Sequence, residues 1–152
     1  MSIEDKLKEL GIELQTPPSP VANYIPVQQT GNLIYLSGQG PRDEEGNFIT
    51  GKVGADISAE QAYDLSRNTA VNLISAMKFY LGSLERVVKI VKVFGMVNAT
   101  SDFTDHPKVI NGCSDFFVEV FEDKGRHARS AVGMGSLPNN MAVEIEIIVE
   151  VS

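Results

Sequence analysis

Apolar residues recur at helical spacing in two long stretches of the chain. The first begins after Ser58, which forms a capping-box signature with Gln61 three positions later, and it ends at Gly82. The second begins at about Pro107, a residue suited to the first turn of a helix, and runs to Phe121. Four apolar residues of this second stretch share one face of the expected helix: Ile110, Cys113, Phe117 and Val120. We predict an α-helix over each stretch.

The first twenty residues differ in character from the rest. Ser2 is placed to cap a short helix over residues 2–10, with Asp5 at the third position and Gly11 to end it. Residues 16–20 have the sequence TPPSP, whose prolines lack the amide hydrogen that a helix or an interior strand needs. We therefore predict an N-terminal helix and proline-rich connector over residues 1–20, followed by one domain over residues 21–152.

Two short apolar segments flank the turn sequence TGN at residues 30–32. Residues 24–29 and 33–37 suit β-strands, and Gly31 can adopt a positive φ without steric cost. This pattern predicts a β-hairpin. Residues 38–54 offer few periodic apolar positions, so we expect mainly loop there, with a short strand near Phe48.

Three later segments also favour strands. Residues 87–97 are β-branched and apolar on both faces, interrupted mainly by Lys89 and Lys92, as in a central strand covered from two sides. Residues 128–133 and 141–151 complete the set. In the last of them, one side is apolar and the other carries Glu144, Glu146 and Glu150.

The predicted order ββ(β)αβαββ indicates an α+β domain in which two helices pack against one mixed sheet. A chain of 152 residues, 43% of them hydrophobic, suffices for a single core. If both helices cover the same sheet face, the apolar residues on the other face need a partner. Self-association is the simplest source, so we expect a homo-oligomer.

The charge balance bears on whether the protein binds nucleic acid. The chain has 20 acidic and 13 basic residues, a net charge of −7, and no Lys/Arg run that would follow a phosphate backbone, which disfavours nonspecific nucleic-acid binding.

No apolar stretch approaches membrane-spanning length, and the N-terminal MSIEDKLKELG is charged where a signal peptide is apolar. A cytoplasmic protein is therefore expected. The single cysteine and two histidines suggest neither a disulfide nor a metal site.

The clearest candidates for ligand-binding and catalytic residues lie in the last quarter of the chain, HARSAVGMGSLPNNMAVEIEIIVEV. Arg129 precedes a short strand beside a Gly-rich, Leu-Pro-closed loop, and its guanidinium suits bidentate binding of a carboxylate or phosphate. Glu144 lies in the alternating strand, so the two groups could line one cleft as anchor and base. From the residues alone, a solvated or structurally paired arginine and a solvated strand carboxylate remain open alternatives.

Other reactive residues have simpler interpretations. Cys113 lies on the apolar face of its helix without a patterned histidine partner, which indicates a buried core thiol. His127 stands two residues before Arg129 and favours a surface or supporting role, with a proton shuttle as the alternative. The cluster of Asp102, Asp105 and His106 precedes Pro107 at a helix start, where capping explains such residues better than a metal site.

With these elements placed, the chain resembles the RidA family, also called YjgF/YER057c/UK114, from about residue 20 to residue 151. The resemblance rests on TGNLIYLSGQ at residues 30–39, ARS at 128–130, LP at 137–138 and VEIE at 143–146, in family order. Tyr24 and Asn111 also match. It implies a chorismate-mutase-like fold and a homotrimer, with the uncovered sheet faces meeting inside and active clefts between neighbouring subunits.

The resemblance also implies an activity and a set of site residues. Well-understood members of the family hydrolyse reactive enamines and imines to 2-keto acids and ammonia, without a cofactor. By correspondence, Arg129 binds the carboxylate of a small metabolite and Glu144 positions water. The other cleft residues implied in this way are Tyr24, Ser37, Gly38 and Asn111.

Departures from the family pattern leave the substrate open. Ala131 stands where the family often has cysteine, and His127 stands where it often has proline. The N-terminal helix, the connector and MGSLPNNMA at residues 134–142 also differ from compact members. The alternatives to a deaminase are a noncatalytic protein that binds a keto acid or related metabolite and, third, an endoribonuclease or translation inhibitor.

Overall fold

One mixed β-sheet organises the computed structural model, which describes residues 1–19 and 22–152. Its strands are β1 (Val27–Thr30), β2 (Leu33–Gln39), β3 (Val87–Asn98), β4 (Ala128–Met134) and β5 (Val143–Val151). They stand in the order β1-β2-β5-β3-β4, with β3 and β4 parallel and the other neighbours antiparallel. The α-helices of the described residues are α1 (Ile3–Glu9), α2 (Ala59–Leu81) and α3 (His106–Phe121). This arrangement confirms the predicted mixed α+β architecture.

The predicted hairpin around Gly31, which has a φ of 57°, is confirmed with different limits. β1 begins at Val27 rather than at residue 24, because Pro26 has no amide hydrogen to contribute to a strand ladder. β2 continues beyond its predicted end to Gln39. In the following loop, Phe48 takes part only in an isolated bridge.

The two long helices begin and end close to their predicted limits. The Ser58 hydroxyl accepts a hydrogen bond from the Gln61 amide and the Gln61 side chain accepts one from the Ser58 amide, which is the predicted capping box. Gly82 ends α2 with a φ of 80°. Pro107 lies in the first turn of α3, but the capping role expected of Asp105 is wrong: its side chain makes no capping hydrogen bond. Its backbone is not extended as at an ordinary N-cap.

Helices α2 and α3 pack side by side on one face of the sheet. Gly112 of α3 lies so close to α2 that a Cβ there would overlap the backbone carbonyl of Tyr63. Gly95 of β3 leaves space for Ile110 of α3 in the same way. Close approach, and not an unusual φ, therefore requires glycine at both positions.

The core lies between this helix pair and the sheet. Alternate residues of β5 are at most 2% exposed, as the sequence pattern predicts: Val143, Ile145, Ile147, Val149 and Val151. The opposite sheet face carries no helix among the described residues. Apolar side chains remain partly open there, with Tyr35 44% and Val132 37% exposed. We call this second surface the open face; the expected homo-oligomer would cover it.

The N-terminal helix α1 packs onto the domain through both apolar and polar contacts. Ser2 caps it through its side chain, as predicted. Leu7 is buried in the common core. Glu4 Oε1 accepts hydrogen bonds from the Leu84 amide at 2.9 Å and from Lys78 Nζ at 3.1 Å. These contacts tie α1 to the end of α2 and to the turn that follows it.

The predicted connector over residues 16–20 has no regular secondary structure in its described part. Pro20, its last residue, and Val21, the first residue of the predicted domain, lie outside the described residues. Within residues 1–19 and 22–152, none of the helices combines the length and apolar character that crossing a membrane requires.

Candidate functional site

Glu144 projects from β5 onto the open face. Its neighbours Val143 and Ile145 are fully buried on the helix side, so strand alternation turns Glu144 the other way, opposite Met96 of β3. The side chain is half-buried, and this burial raises the pKa of its carboxyl above the ordinary value, with repulsion from Glu146 adding to the rise. Such a carboxylate is a stronger base than a solvated one.

The Glu144 carboxylate lies directly over Gly38 of β2. The pairing of β2 with β5 is irregular between Leu36 and Gln39, which brings the backbone at Gly38 under the carboxylate. A Cβ at this position would overlap Glu144 Oε2. The glycine is therefore required by the position of the carboxylate.

A cavity of about 500 Å³ opens beside this carboxylate. Two of the predicted site residues, Tyr24 and Gly38, line it together with Glu144. Its other walls include Pro18, Arg42, Phe48, Pro138 and Met141. The chain thus brings part of the predicted site into one concave surface.

Ser37 supports this cavity from outside. Its hydroxyl donates a hydrogen bond to the Ile25 carbonyl at 2.7 Å, and its amide donates one to the Pro26 carbonyl at 2.9 Å. These bonds fix the segment that follows Tyr24, whose side chain is 52% exposed. Because the Ser37 hydroxyl is occupied by this hydrogen bond, the role of Ser37 is to stabilise the segment that forms one wall of the cavity.

Arg129 lies on the other side of the sheet, against α3. In the parallel pairing of β4 with β3 it stands beside Val93, which is buried under the helices. Arg129 Nη1 donates hydrogen bonds to Asn111 Oδ1 at 2.8 Å and to Ser114 Oγ at 3.2 Å. Two bonds use both hydrogens of Nη1, so the edge formed by Nε and Nη2 is the part that can take a ligand carboxylate side-on.

His127 extends the same cluster. Its Nε2 lies 2.8 Å from Ser114 Oγ and its Nδ1 lies 2.6 Å from the Gly125 carbonyl oxygen. Burial lowers the pKa of the imidazole; the Gly125 hydrogen bond opposes this change and the charge of Arg129 adds to it. The ring is therefore neutral at neutral pH.

Within one chain, Arg129 and Glu144 do not share a cleft. Their partners on β3, Val93 and Met96, stand three positions apart on a regularly paired part of the strand. An odd separation on a strand places side chains on opposite faces. The expected joint cleft therefore does not form inside a single subunit.

Cys113 is fully buried, and burial strongly raises the pKa of its thiol. This confirms the prediction of a core thiol. Among residues 1–19 and 22–152, the structure brings together no group of three or more His, Cys, Asp or Glu side chains that could hold a metal ion.

Sequence reasoning missed two residues that the fold places at these surfaces. Ser114 contacts Arg129, and its position one helical turn after Asn111 was the available signal. Arg42 lines the Glu144 cavity with its guanidinium 4.0 Å from the centre of the Phe48 ring. It comes from a loop without periodicity, so no pattern pointed to it.

Comparison with known proteins identifies related chains over nearly the whole length. The family described as "YjgF/chorismate_mutase-like, putative endoribonuclease" matches residues 4–151. A Trypanosoma cruzi protein named TCP17 is 38% identical over 147 residues, 96% of this chain and 92% of that protein. A 2-iminobutanoate/2-iminopropanoate deaminase from Dermatophagoides farinae is 32% identical over 139 residues, 90% of this chain and 93% of that enzyme.

A solved structure agrees with the same relationship. The crystal structure of Atu1372 from Agrobacterium tumefaciens, a protein of unknown function, superposes with a TM-score of 0.92 at 41% sequence identity. The match covers 99% of this chain and 92% of that one. The fold is therefore shared along essentially the entire chain, including the N-terminal helix.

Proposed function

This chain belongs to the YjgF/chorismate mutase-like family, the RidA family, and from that premise we propose that it hydrolyses small carboxylated enamines and imines to 2-keto acids and ammonia. The observation that carries the proposal is the Glu144 carboxylate, half-buried with a raised pKa and seated over Gly38 beside a cavity. Relatives named as imine deaminases, such as the Dermatophagoides farinae enzyme, support the same reaction class.

The chemistry requires only what these residues offer. An imine carbon is already electrophilic, so its hydrolysis needs water, proton transfer and a substrate held in position. In the proposal, Arg129 binds the substrate carboxylate through its Nε and Nη2 edge. Glu144 takes a proton from the water whose oxygen bonds to the imine carbon.

The remaining steps balance without another reagent. The imine reacts in its protonated form, so addition of water gives a carbon that carries a hydroxyl and an amino group. The proton held by Glu144 passes to this amino group, which makes ammonia the leaving group. The carbon–nitrogen bond then breaks as the new hydroxyl gives its proton back to Glu144 and becomes the keto oxygen. An enamine enters the same sequence after its carbon is protonated, which gives the protonated imine directly.

The separation of Arg129 from Glu144 supports a site made by two subunits. We propose a homotrimer in which the open faces meet and the Arg129 side of one subunit adjoins the Glu144 cavity of the next. The partly exposed apolar residues of the open face, such as Tyr35 and Val132, favour such an assembly. Tyr24 and Gly38 would then line the cleft on the Glu144 side.

The proposal is tested by keto-acid formation from freshly generated 2-aminoacrylate and 2-aminocrotonate. Wild type should accelerate release above buffer, while Arg129→Ala and Glu144→Gln should each reduce the rate about 100-fold or more. Arg126→Ala and Glu9→Gln change an exposed arginine and an exposed glutamate away from the open face and should stay within about twofold of wild type. Equal rates for wild type and buffer would overturn the deaminase proposal.

A second candidate function is keto-acid binding without turnover. It is favoured by the Arg129 cluster, which is held by Asn111 and Ser114 within one chain and needs no base to bind a carboxylate. Saturable binding of 2-oxobutanoate by a protein that accelerates none of a panel of imines would support it. RNA cleavage, which the family description names, ranks third because a net charge of −7 provides no attraction for a phosphate backbone.

A further inference from the structure

A continuous chain of hydrogen bonds runs from the Gly125 carbonyl through His127 and Ser114 to Arg129. We propose that Ser114 and His127 are positioning residues, which hold the Arg129 guanidinium so that its Nε and Nη2 edge faces a substrate carboxylate. This inference rests on the proposed function, in which Arg129 anchors that carboxylate.

The direction of each hydrogen bond follows from the groups at the two ends. The Gly125 carbonyl can only accept, so His127 Nδ1, 2.6 Å away, carries the hydrogen. In a neutral imidazole the other nitrogen, Nε2, is then an acceptor. The Ser114 hydroxyl, 2.8 Å from Nε2, must therefore donate to it.

This donation leaves the Ser114 oxygen free to act as an acceptor. Arg129 Nη1 donates to it at 3.2 Å. A serine hydroxyl without the His127 acceptor could rotate and point its own hydrogen toward the guanidinium, which cannot accept it. The imidazole thus fixes the hydroxyl in the orientation that Arg129 requires.

Two acceptors on one helix face hold Nη1 at the same time. Asn111 and Ser114 stand three positions apart on α3, so both project toward the same strand. With both bonds in place, the guanidinium plane cannot turn about either one. Loss of the Ser114 bond would leave the Asn111 bond as a single pivot, and the ligand-binding edge would no longer be fixed.

The environment of His127 keeps it in the required state. Its ring packs edge-on against Phe117, with 6.1 Å between ring centres, and it is half-buried. Burial and the neighbouring Arg129 charge both lower the pKa of the imidazole, although the Gly125 hydrogen bond opposes them. Protonation would put a hydrogen on Nε2, reverse the bond to Ser114 and place a second cation beside Arg129.

The test measures binding of 2-oxobutanoate, a carboxylate that the reaction releases and does not consume, together with kcat and KM for imine hydrolysis. Ser114→Ala and His127→Phe should each weaken binding and raise KM about tenfold while kcat stays within about twofold. Ser114→Thr keeps a hydroxyl and should restore binding. Thermal melting checks that each variant is folded. If His127→Phe does not fold, the comparison of Ser114→Ala with Ser114→Thr still tests the inference.

Matched controls separate positioning from general destabilisation. Ser75→Ala removes a helix serine whose hydroxyl bonds only to the Val71 carbonyl of its own helix. His106→Phe changes the other histidine, which packs against Phe103. Both controls should bind 2-oxobutanoate like wild type. A KM change shared by the controls would indicate a structural effect and overturn the inference.

Nitrogen-15 NMR provides a readout that does not depend on catalysis. His127 should be neutral with its hydrogen on Nδ1, and its Nε2 resonance should move when 2-oxobutanoate binds, but not in Ser114→Ala. A hydrogen on Nε2 in the free protein would overturn the inference. The inference would also be overturned if Ser114→Ala and His127→Phe bound 2-oxobutanoate as wild type does while Arg129→Ala lost binding. If Arg129→Ala itself bound 2-oxobutanoate undiminished, Arg129 would not be the anchor, and both the proposed anchor and this inference would be overturned.

Discussion

Arg129 and Glu144 lie on opposite faces of the same β-sheet. Their partners on the central strand β3 are three positions apart, so one side chain points toward α3 and the other toward the open face. No rotamer change brings two such groups into one cavity. A reaction that uses both must draw them from different subunits.

Mixing two inactive variants tests this arrangement directly. If each cleft takes Arg129 from one subunit and Glu144 from its neighbour, co-assembled Arg129→Ala and Glu144→Gln chains should recover about one quarter of wild-type activity, because about one cleft in four combines two intact groups. Keto-acid release after joint refolding is the measurement.

The control for that experiment is the double variant Arg129→Ala/Glu144→Gln co-assembled with Arg129→Ala. No cleft in this mixture contains both intact groups, so activity should stay at the level of the single variants. Failure of the first mixture to exceed this control, with co-assembly shown by mass, would contradict a shared cleft.

The open face should be buried in solution. The protein is expected to run at about three times its chain mass of 16.5 kDa. Val132→Glu places a charge on this face, where Val132 is 37% exposed in the single chain, and should yield monomers. Phe79→Glu, at a 70% exposed position of α2, should leave the mass unchanged. Light scattering distinguishes the species; a monomeric wild type would refute the assembly.

Gly38→Ala should disable the site while leaving the fold nearly intact. The new methyl group would overlap the end of the flexible Glu144 side chain and push its carboxylate away. We expect kcat to fall at least about tenfold, with thermal stability changed by less than about 1 kcal/mol. Gly135→Ala meets no heavy atom within 4 Å and serves as the control. Wild-type kcat in Gly38→Ala would show that the carboxylate need not lie there.

Glu144 should make the fold less stable as pH rises. Burial, with a smaller effect of Glu146, raises the carboxyl pKa in the folded state, so the folded chain binds this proton more tightly than the unfolded chain. Its contribution to stability is therefore present below the ordinary value of 4.5 and is lost as pH rises through the raised pKa.

Glu144→Gln removes that loss because glutamine does not titrate. The variant should be more stable than wild type at pH 7, and the difference should vanish below about pH 4. Urea unfolding across this range measures the change, and Glu9→Gln, at an exposed position of α1, should follow wild type. An equal or lower stability of Glu144→Gln at pH 7 would contradict a carboxylate destabilised by burial.

Gly112→Ala should disrupt the contact between α2 and α3. Its Cβ would overlap the Tyr63 backbone carbonyl, and backbone cannot move aside as a flexible side chain can. We expect a loss of about 2 to 3 kcal/mol in the free energy of unfolding. Denaturant titration measures it. A loss below about 0.5 kcal/mol would mean that the helices can separate at this point without penalty.

Local structure could be predicted where neighbouring residues decide it. The Ser58 capping box, the Gly31 turn and the alternation of β5 depend on groups within a few positions of one another, and all three were predicted. The capping role predicted for Asp105 was wrong, because a capping hydrogen bond also depends on the backbone angles at the start of α3, which are not extended there.

Candidate site residues could be recognised by type and by family pattern, but not by arrangement. Nothing in residues 128–151 indicates that Arg129 and Glu144 face apart, since that depends on how β4 and β5 each pair with β3. Ser114 and Arg42 were missed because a helix and a loop distant in sequence carry them to the strands.

Short-range periodicity and residue identity were sufficient to predict the helices, the Gly31 turn, the buried side of β5 and the family. Which face each reactive group occupies, the position of Gly38 under Glu144, and the link from His127 to Arg129 through Ser114 all depend on tertiary contacts. Strand order and register are set by contacts across the whole chain, and a shift of one residue would turn each side chain to the other face.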